Sequence, residues 1–224
     1  SYDFDIVGND VIQVLDHLKI TKAHFLSLSI GSVILQKIDI LRPKLIDKMV
    51  MAGAIFDGSK FMHAFVHSGK ILTYILPYRV FYSLFSFIVL PRKNHRLSRY
   101  IFRRQSMRMN VVEYLKWIEL YKPFFILIKE YVGRQIEPPC LVVMGDQDHI
   151  FFNSAKNFTE VQKNAHLTVI KGCGHVVSIE SPKPFNKIAS DFLKGVDVPD
   201  SVQSEPVPYK WSDLKDLKAR SKGR

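Results

Sequence analysis

The chain has 224 residues, 47% of them hydrophobic, with 32 Lys/Arg against 21 Asp/Glu and a net charge of +11. That is enough for one large domain or two small ones with a sizeable core. The two cysteines, Cys140 and Cys173, exclude a disulfide framework. The longest apolar run, "VFYSLFSFIVL" (80–90), falls short of the roughly 20 residues of a membrane-spanning helix.

In chain order, Asn9–Asp10 can cap a helix carrying Val11, Leu15 and Leu18 at helical spacing. "AHFLSLS" (23–29) reads as a short buried strand, "GSVILQKIDILRP" as a helix that stops before Pro43, and "KMVMAGA" (48–54) as a second strand. This rhythm predicts a parallel sheet with crossover helices. Residues 59–135 carry 14 Lys/Arg against 3 Asp/Glu and 16 of the 27 aromatic residues. Helices are expected there over about 60–76, 78–90, 94–108 and 111–132. Strand rhythm resumes with "PCLVVMG" (139–145), followed by a helix near 153–162 and the strand "LTVIKG" (167–172). A last helix opens at Ser181–Pro182. From residue 195 the Pro, Ser and charge content predicts a disordered tail.

Acyl transfer at serine needs a nucleophile, a base, a carboxylate that orients the base, and donors for the oxyanion. In an open parallel sheet such groups gather at the carboxyl ends of strands. Three strand ends qualify. At the first, Ser29 sits in a sharp turn between Ser27 and Gly31, with the Ile30 amide aimed at the same point. The second, "MGDQDHIF", offers Asp146 and Asp148. The third, "GCGHVV", holds His175 in a tight loop just after Gly172 and Gly174.

These three stretches in this order resemble the α/β-hydrolase fold family, near its bacterial esterase, lipase-like and C–C hydrolase branch. Ser27-Leu28-Ser29-Ile30-Gly31 resembles the nucleophile elbow, with Ser27 in place of the usual first glycine. "GDQDHIF" resembles the acid loop and "CGHVVSIESPKPFNKIASDFL" the histidine loop and last helix. The resemblance implies a mostly parallel sheet with core segments 1–58 and 136–194 and a helical cap at 59–135. It assigns Ser29 as nucleophile, Asp148 as acid, His175 as base and Ile30 as an oxyanion donor. No cofactor or metal is implied. It further implies strands ahead of residue 1, among them one whose HG-type loop gives the second oxyanion donor. No His-Gly pair precedes Ser29, so the chain reads as N-terminally truncated, with low activity and a bare sheet edge expected.

The expected function is hydrolysis of an ester or related acyl bond in a hydrophobic small molecule. C–C bond hydrolysis or acyl transfer on the same triad is the first alternative; a non-catalytic or membrane-associated derivative of the fold is the second. His149, beside Asp148, competes as base but points away in an extended loop. His63 and His67 have metal-ligand spacing without a third ligand and read as cap-lining residues. Cys173 reads as a buried small residue. The basic, aromatic cap lacks a nucleic-acid motif, so no nucleic acid is expected. Its outer face suits an anionic membrane surface. Two unpaired cysteines fit a reducing, cytoplasmic setting.

Overall fold

The computed structural model describes residues 3–205. The first helix, α1 (Phe4–His17), starts earlier than Asn9 because the Asp3 side chain accepts the Asp5 N–H at 2.9 Å. Asn9 lies inside the helix and bonds the Asp5 carbonyl. Then follow β1 (Ala23–Leu28), α2 (Ile30–Leu41) and β2 (Ile46–Ala52).

Between β2 and β3 runs a helical insert: α3 (Lys60–Ile75), α4 (Tyr78–Val89), α5 (Arg96–Ser106), α6 (Val111–Ile118) and α7 (Tyr121–Val132). Where one helix over 111–132 is expected, there are two. Pro123 has no N–H to offer the Glu119 carbonyl, and its ring would collide with it. The chain therefore breaks at Glu119–Leu120 and Pro123 takes its place in the first turn of α7. The remainder is β3 (Cys140–Gly145), α8 (Phe152–Val161), β4 (Ala165–Lys171), α9 (Val177–Glu180), α10 (Pro182–Leu193) and β5 (Ser201–Gln203).

The five strands lie in chain order, β1-β2-β3-β4-β5, all parallel. Alternate residues of the central strands feed two cores, as a sheet covered on both faces requires. Met49, Met51, Val142 and Met144 pack with Val33 and Ile38 of α2, Ile128 and Tyr131 of α7, and Phe158 of α8. Val50, Ala52, Leu141 and Val143 pack with Phe185 and Ile188 of α10. Among the described residues β1 is an edge strand, and its Leu26 is 54% exposed.

The expected disordered tail is corrected for residues 195–205. β5 pairs with β4 from Val169↔Ser201 to Lys171↔Gln203. The Thr168 hydroxyl donates to the Pro199 carbonyl at 2.7 Å, and the Glu205 N–H donates to Ser181 Oγ at 3.1 Å. These are contacts with distant residues, invisible to local composition. The rest of that tail, 206–224, lies outside the described residues.

Asp39 of α2 is fully buried, and neither carboxylate oxygen has a hydrogen-bond partner. Burial pushes its pKa up, and the Arg134 charge and the neighbouring Tyr131 hydroxyl offset this only in part. A raised folded-state pKa means the cost is absent in acid, where both states are protonated, and is fully incurred once pH exceeds the folded value. Asp39→Asn is therefore expected to stabilise the protein at neutral pH by about 1–2 kcal/mol. In urea melts the gain should shrink toward about pH 4. An equal or lower stability of the variant at pH 7 contradicts this.

Candidate active site

The carboxyl ends of β1, β2, β3 and β4 face the same side of the sheet, and the sequence places a reactive or small residue at each. Ser29 follows β1 directly. Its φ of 52° and ψ of −121° lie in the left-handed half of the map, which costs a non-glycine residue on the order of 1–3 kcal/mol. Three bonds hold it there. Its N–H donates to the Ala52 carbonyl at 2.9 Å, and its carbonyl accepts the Ser32 hydroxyl at 2.7 Å. Ser32 Oγ in turn accepts the Ile55 N–H at 3.0 Å. The elbow is thus tied to β2 and to the loop beyond it. Ser27 stands where a glycine is usual without crowding its neighbour: even a Cβ added at Gly31 would meet the Ser27 Cβ at 3.6 Å, an ordinary contact.

His175 Nε2 lies 2.7 Å from Ser29 Oγ, and His175 Nδ1 lies 2.7 Å from Asp148 Oδ2. Asp148 is fully buried; its other oxygen accepts the Phe151 N–H at 3.2 Å. A carboxylate at Nδ1 fixes the proton there and leaves the Nε2 lone pair facing the hydroxyl. Ser29 is half-buried, so this chain of three groups opens outward only at the serine. Such an arrangement can take a proton from the hydroxyl as it attacks and return it to a leaving group. Ile30 is the first residue of α2, 43% exposed. The N–H groups of a helix's first turn have no partner within the helix and attract an anion.

Two glycines that sequence reading treats only as strand ends make this possible. A Cβ on Gly53 would come within 2.4 Å of the His175 carbonyl oxygen. One on Gly145 would come within 2.2 Å of the Gly174 carbonyl and 2.3 Å of the Cys173 carbonyl. The histidine loop therefore rests directly on the ends of β2 and β3.

Other candidates fall elsewhere. Asp146 Oδ1 accepts the Gly172 N–H at 2.7 Å and braces the loop. His149 is exposed. Cys173 is buried, and desolvation with the nearby Glu180 charge pushes its thiol up to about 12, which leaves no thiolate for attack. His63 stacks on Phe125 at 3.5 Å between ring centres, and His67 lies against Tyr121. The wall near the triad is apolar: Leu28, Phe85, Val89, Leu90, Ile150 and Val176 form one cluster, and the Phe151 ring sits 4.9 Å from that of His175.

No protein-family model matches the chain. A putative carbamate hydrolase, RutD, of Stutzerimonas stutzeri (strain A1501) is 22% identical over 205 residues, which is 86% of this chain and 74% of RutD. An α/β hydrolase enzyme, MGS-M2, from a Medee basin deep-sea metagenome library aligns with a TM-score of 0.67 at 20% identity, over 89% of this chain and 74% of its own. An esterase, EaEST, of Exiguobacterium antarcticum gives 0.70 at 17%, over 86% and 74%. The meta-cleavage product hydrolase CumD of Pseudomonas fluorescens IP01 gives 0.64 at 19%, over 87% and 73%. The chain has the α/β-hydrolase fold.

Proposed function

We propose that the protein is a serine hydrolase that cleaves an ester or related acyl bond of a hydrophobic small molecule. The observation that carries this reading is the unbroken hydrogen-bonded chain Ser29–His175–Asp148 at three strand ends, 2.7 Å at each link. In it Ser29 Oγ attacks the acyl carbon, His175 takes the hydroxyl proton, and the buried Asp148 carboxylate stabilises the imidazolium. The Ile30 N–H, at the start of α2, donates to the oxyanion. Collapse of the tetrahedral intermediate expels the leaving group with the proton from His175; water then attacks the acyl-serine by the same path in reverse. The insert, as a cap, supplies Phe85, Val89 and Leu90 to the apolar wall beside the serine. No cofactor or metal takes part.

The test is a panel of p-nitrophenyl esters of increasing acyl length. The expected result is a burst of nitrophenol stoichiometric with enzyme, followed by slower turnover, favouring apolar acyl groups. A folded protein with no release above buffer across the panel sinks the reading. RutD and CumD, named for carbamate and meta-cleavage product hydrolysis, mark the neighbouring reactions. Ester formation that outruns hydrolysis at a low concentration of added alcohol would instead assign acyl transfer.

The insert also carries a proposed membrane contact. Its α4 exposes Val80, Leu84, Phe87 and Ile88, spaced along one helical face, and α3 exposes Ile71, Leu72 and Ile75. The same segment holds 14 Lys/Arg against 3 Asp/Glu, which repels a second copy and attracts an anionic lipid surface. Among the described residues no helix is long and apolar enough to cross a membrane. Co-sedimentation with phosphatidylserine-containing vesicles is expected at low salt and should weaken as salt rises. No binding, or equal binding to neutral vesicles, contradicts it.

A further inference from the structure

The turn between α4 and α5 places two polar side chains of the insert against both loops of the triad. His95 is fully buried and takes no part in the proton transfers above. The Arg92 N–H points at its Nδ1 at 3.4 Å, which leaves the ring proton on Nε2. Nε2–H then donates to Gln147 Oε1 at 2.9 Å. Asn94 Nδ2 donates to that same oxygen at 2.9 Å and to the Gly172 carbonyl at 2.9 Å.

Each contact is next to a triad residue or its loop. Gln147 immediately precedes Asp148, and its N–H donates to the Cys173 carbonyl at 2.8 Å, joining the acid loop to the histidine loop. Gly174 immediately precedes His175, and its N–H donates to Glu180 Oε2 at 2.6 Å. The Glu180 carboxylate, itself buried, lies 3.6 Å from His95 Nε2. The imidazole of His95 fills the space that Gly174 leaves: a Cβ on Gly174 would come within 2.7 Å of the ring.

We propose that His95, with Asn94, is a positioning residue for this site. It holds the Asp148 and His175 loops in register and couples the placement of the helical insert to the geometry of the triad. This rests on the serine-hydrolase reading for its consequence in rate, though not for its consequence in geometry. The physical reason is that a triad tolerates little displacement, and a loop displacement of about 1 Å costs on the order of 100-fold. Removing the imidazole leaves a void beside Gly174 and deprives Gln147 of its buried donor, so both loops gain freedom at once.

The experiment compares His95→Ala, His95→Gln and Asn94→Ala with the parent protein, using two readouts. The first is kcat per active site titrated in the ester burst. His95→Ala should lower it about 10- to 100-fold with KM within about threefold, Asn94→Ala less, and His95→Gln should recover much of it through an amide N–H that reaches Gln147. The second is the downfield NMR signal of the His175 Nδ1 proton shared with Asp148, which needs no turnover. It should shift or broaden in His95→Ala and stay near its parent position in His95→Gln. A kcat per titrated site equal to the parent's, or an unchanged imidazole signal, overturns the proposal even if the melting temperature falls. If the parent protein hydrolyses no ester, the hydrolase reading fails and the NMR comparison alone decides the positioning role. If His95→Ala does not fold, Asn94→Ala at the exposed end of the same turn carries the test, and unchanged values there overturn it.

Discussion

Replacing Ser29 with alanine is expected to lower kcat for ester hydrolysis by roughly 10⁵- to 10⁶-fold, with the melting temperature unchanged or raised. The size follows from the loss of covalent catalysis: without Oγ at 2.7 Å from His175 Nε2, the imidazole has only water to activate. Folding should not suffer, since the bonds that hold the elbow use the Ser29 main chain and the Ser32 hydroxyl. His175→Ala should cost about as much, and the double variant no more than either single one, because the pair acts as a unit. Asp148→Asn should keep the geometry and cost about 10⁴-fold, because the amide can present its N–H to Nδ1 and favour the wrong tautomer. Additive losses in the double variant, or a Ser29→Ala protein within about tenfold of the parent, contradict the mechanism.

The second large effect belongs to a residue with no chemistry of its own. Gly145→Ala would place a methyl group within 2.2–2.6 Å of the Gly174 carbonyl and of the Cys173 carbonyl oxygen and carbon. These are main-chain atoms, so the overlap is relieved only by moving the loop that carries His175. We expect a loss of about 2–3 kcal/mol in stability. In the fraction that still folds, kcat should drop on the order of 100-fold. Gly31→Ala is the contrast. A Cβ there meets Ser27 Cβ at 3.6 Å, an ordinary contact, so its folding stability should change by less than about 1 kcal/mol. Chemical denaturation and ester kinetics of the two variants check this. Equal behaviour at the two positions would mean that close approach of the histidine loop to β3 is not required.

This pair of glycines also marks how far the sequence can be read. Gly31 draws attention because it sits in a recognisable S-x-S-x-G stretch, yet the tightest approaches are at Gly53 and Gly145. Their crowding comes from a loop far away in sequence. Ser29, the acid loop and His175 are legible because each follows an apolar run, and a parallel sheet brings strand ends together whatever the rest of the chain does. Asp148, however, is singled out from Asp146 only by the resemblance of "GDQDHIF" to the family's acid loop. β5 is not legible: three residues, flanked by proline, aspartate and serine, held by pairing to Val169–Lys171 and not by their own propensity. The start of α1 misleads for a local reason, since two capping residues at Asn9–Asp10 compete with Asp3 and only the chain's geometry selects between them. His95 leaves no signal, because it stands in no motif and its partner Gln147, though inside "GDQDHIF", lies 52 residues away.

The most direct test of the central claim is the site of covalent capture. Folded protein, treated with a fluorophosphonate and analysed by intact mass and peptide mapping, should carry a single adduct on Ser29. Heat-unfolded protein and the Ser29→Ala variant should carry none. A cooperatively folded parent protein that stays unmodified, or one modified at another residue with Ser29 free, would contradict the account.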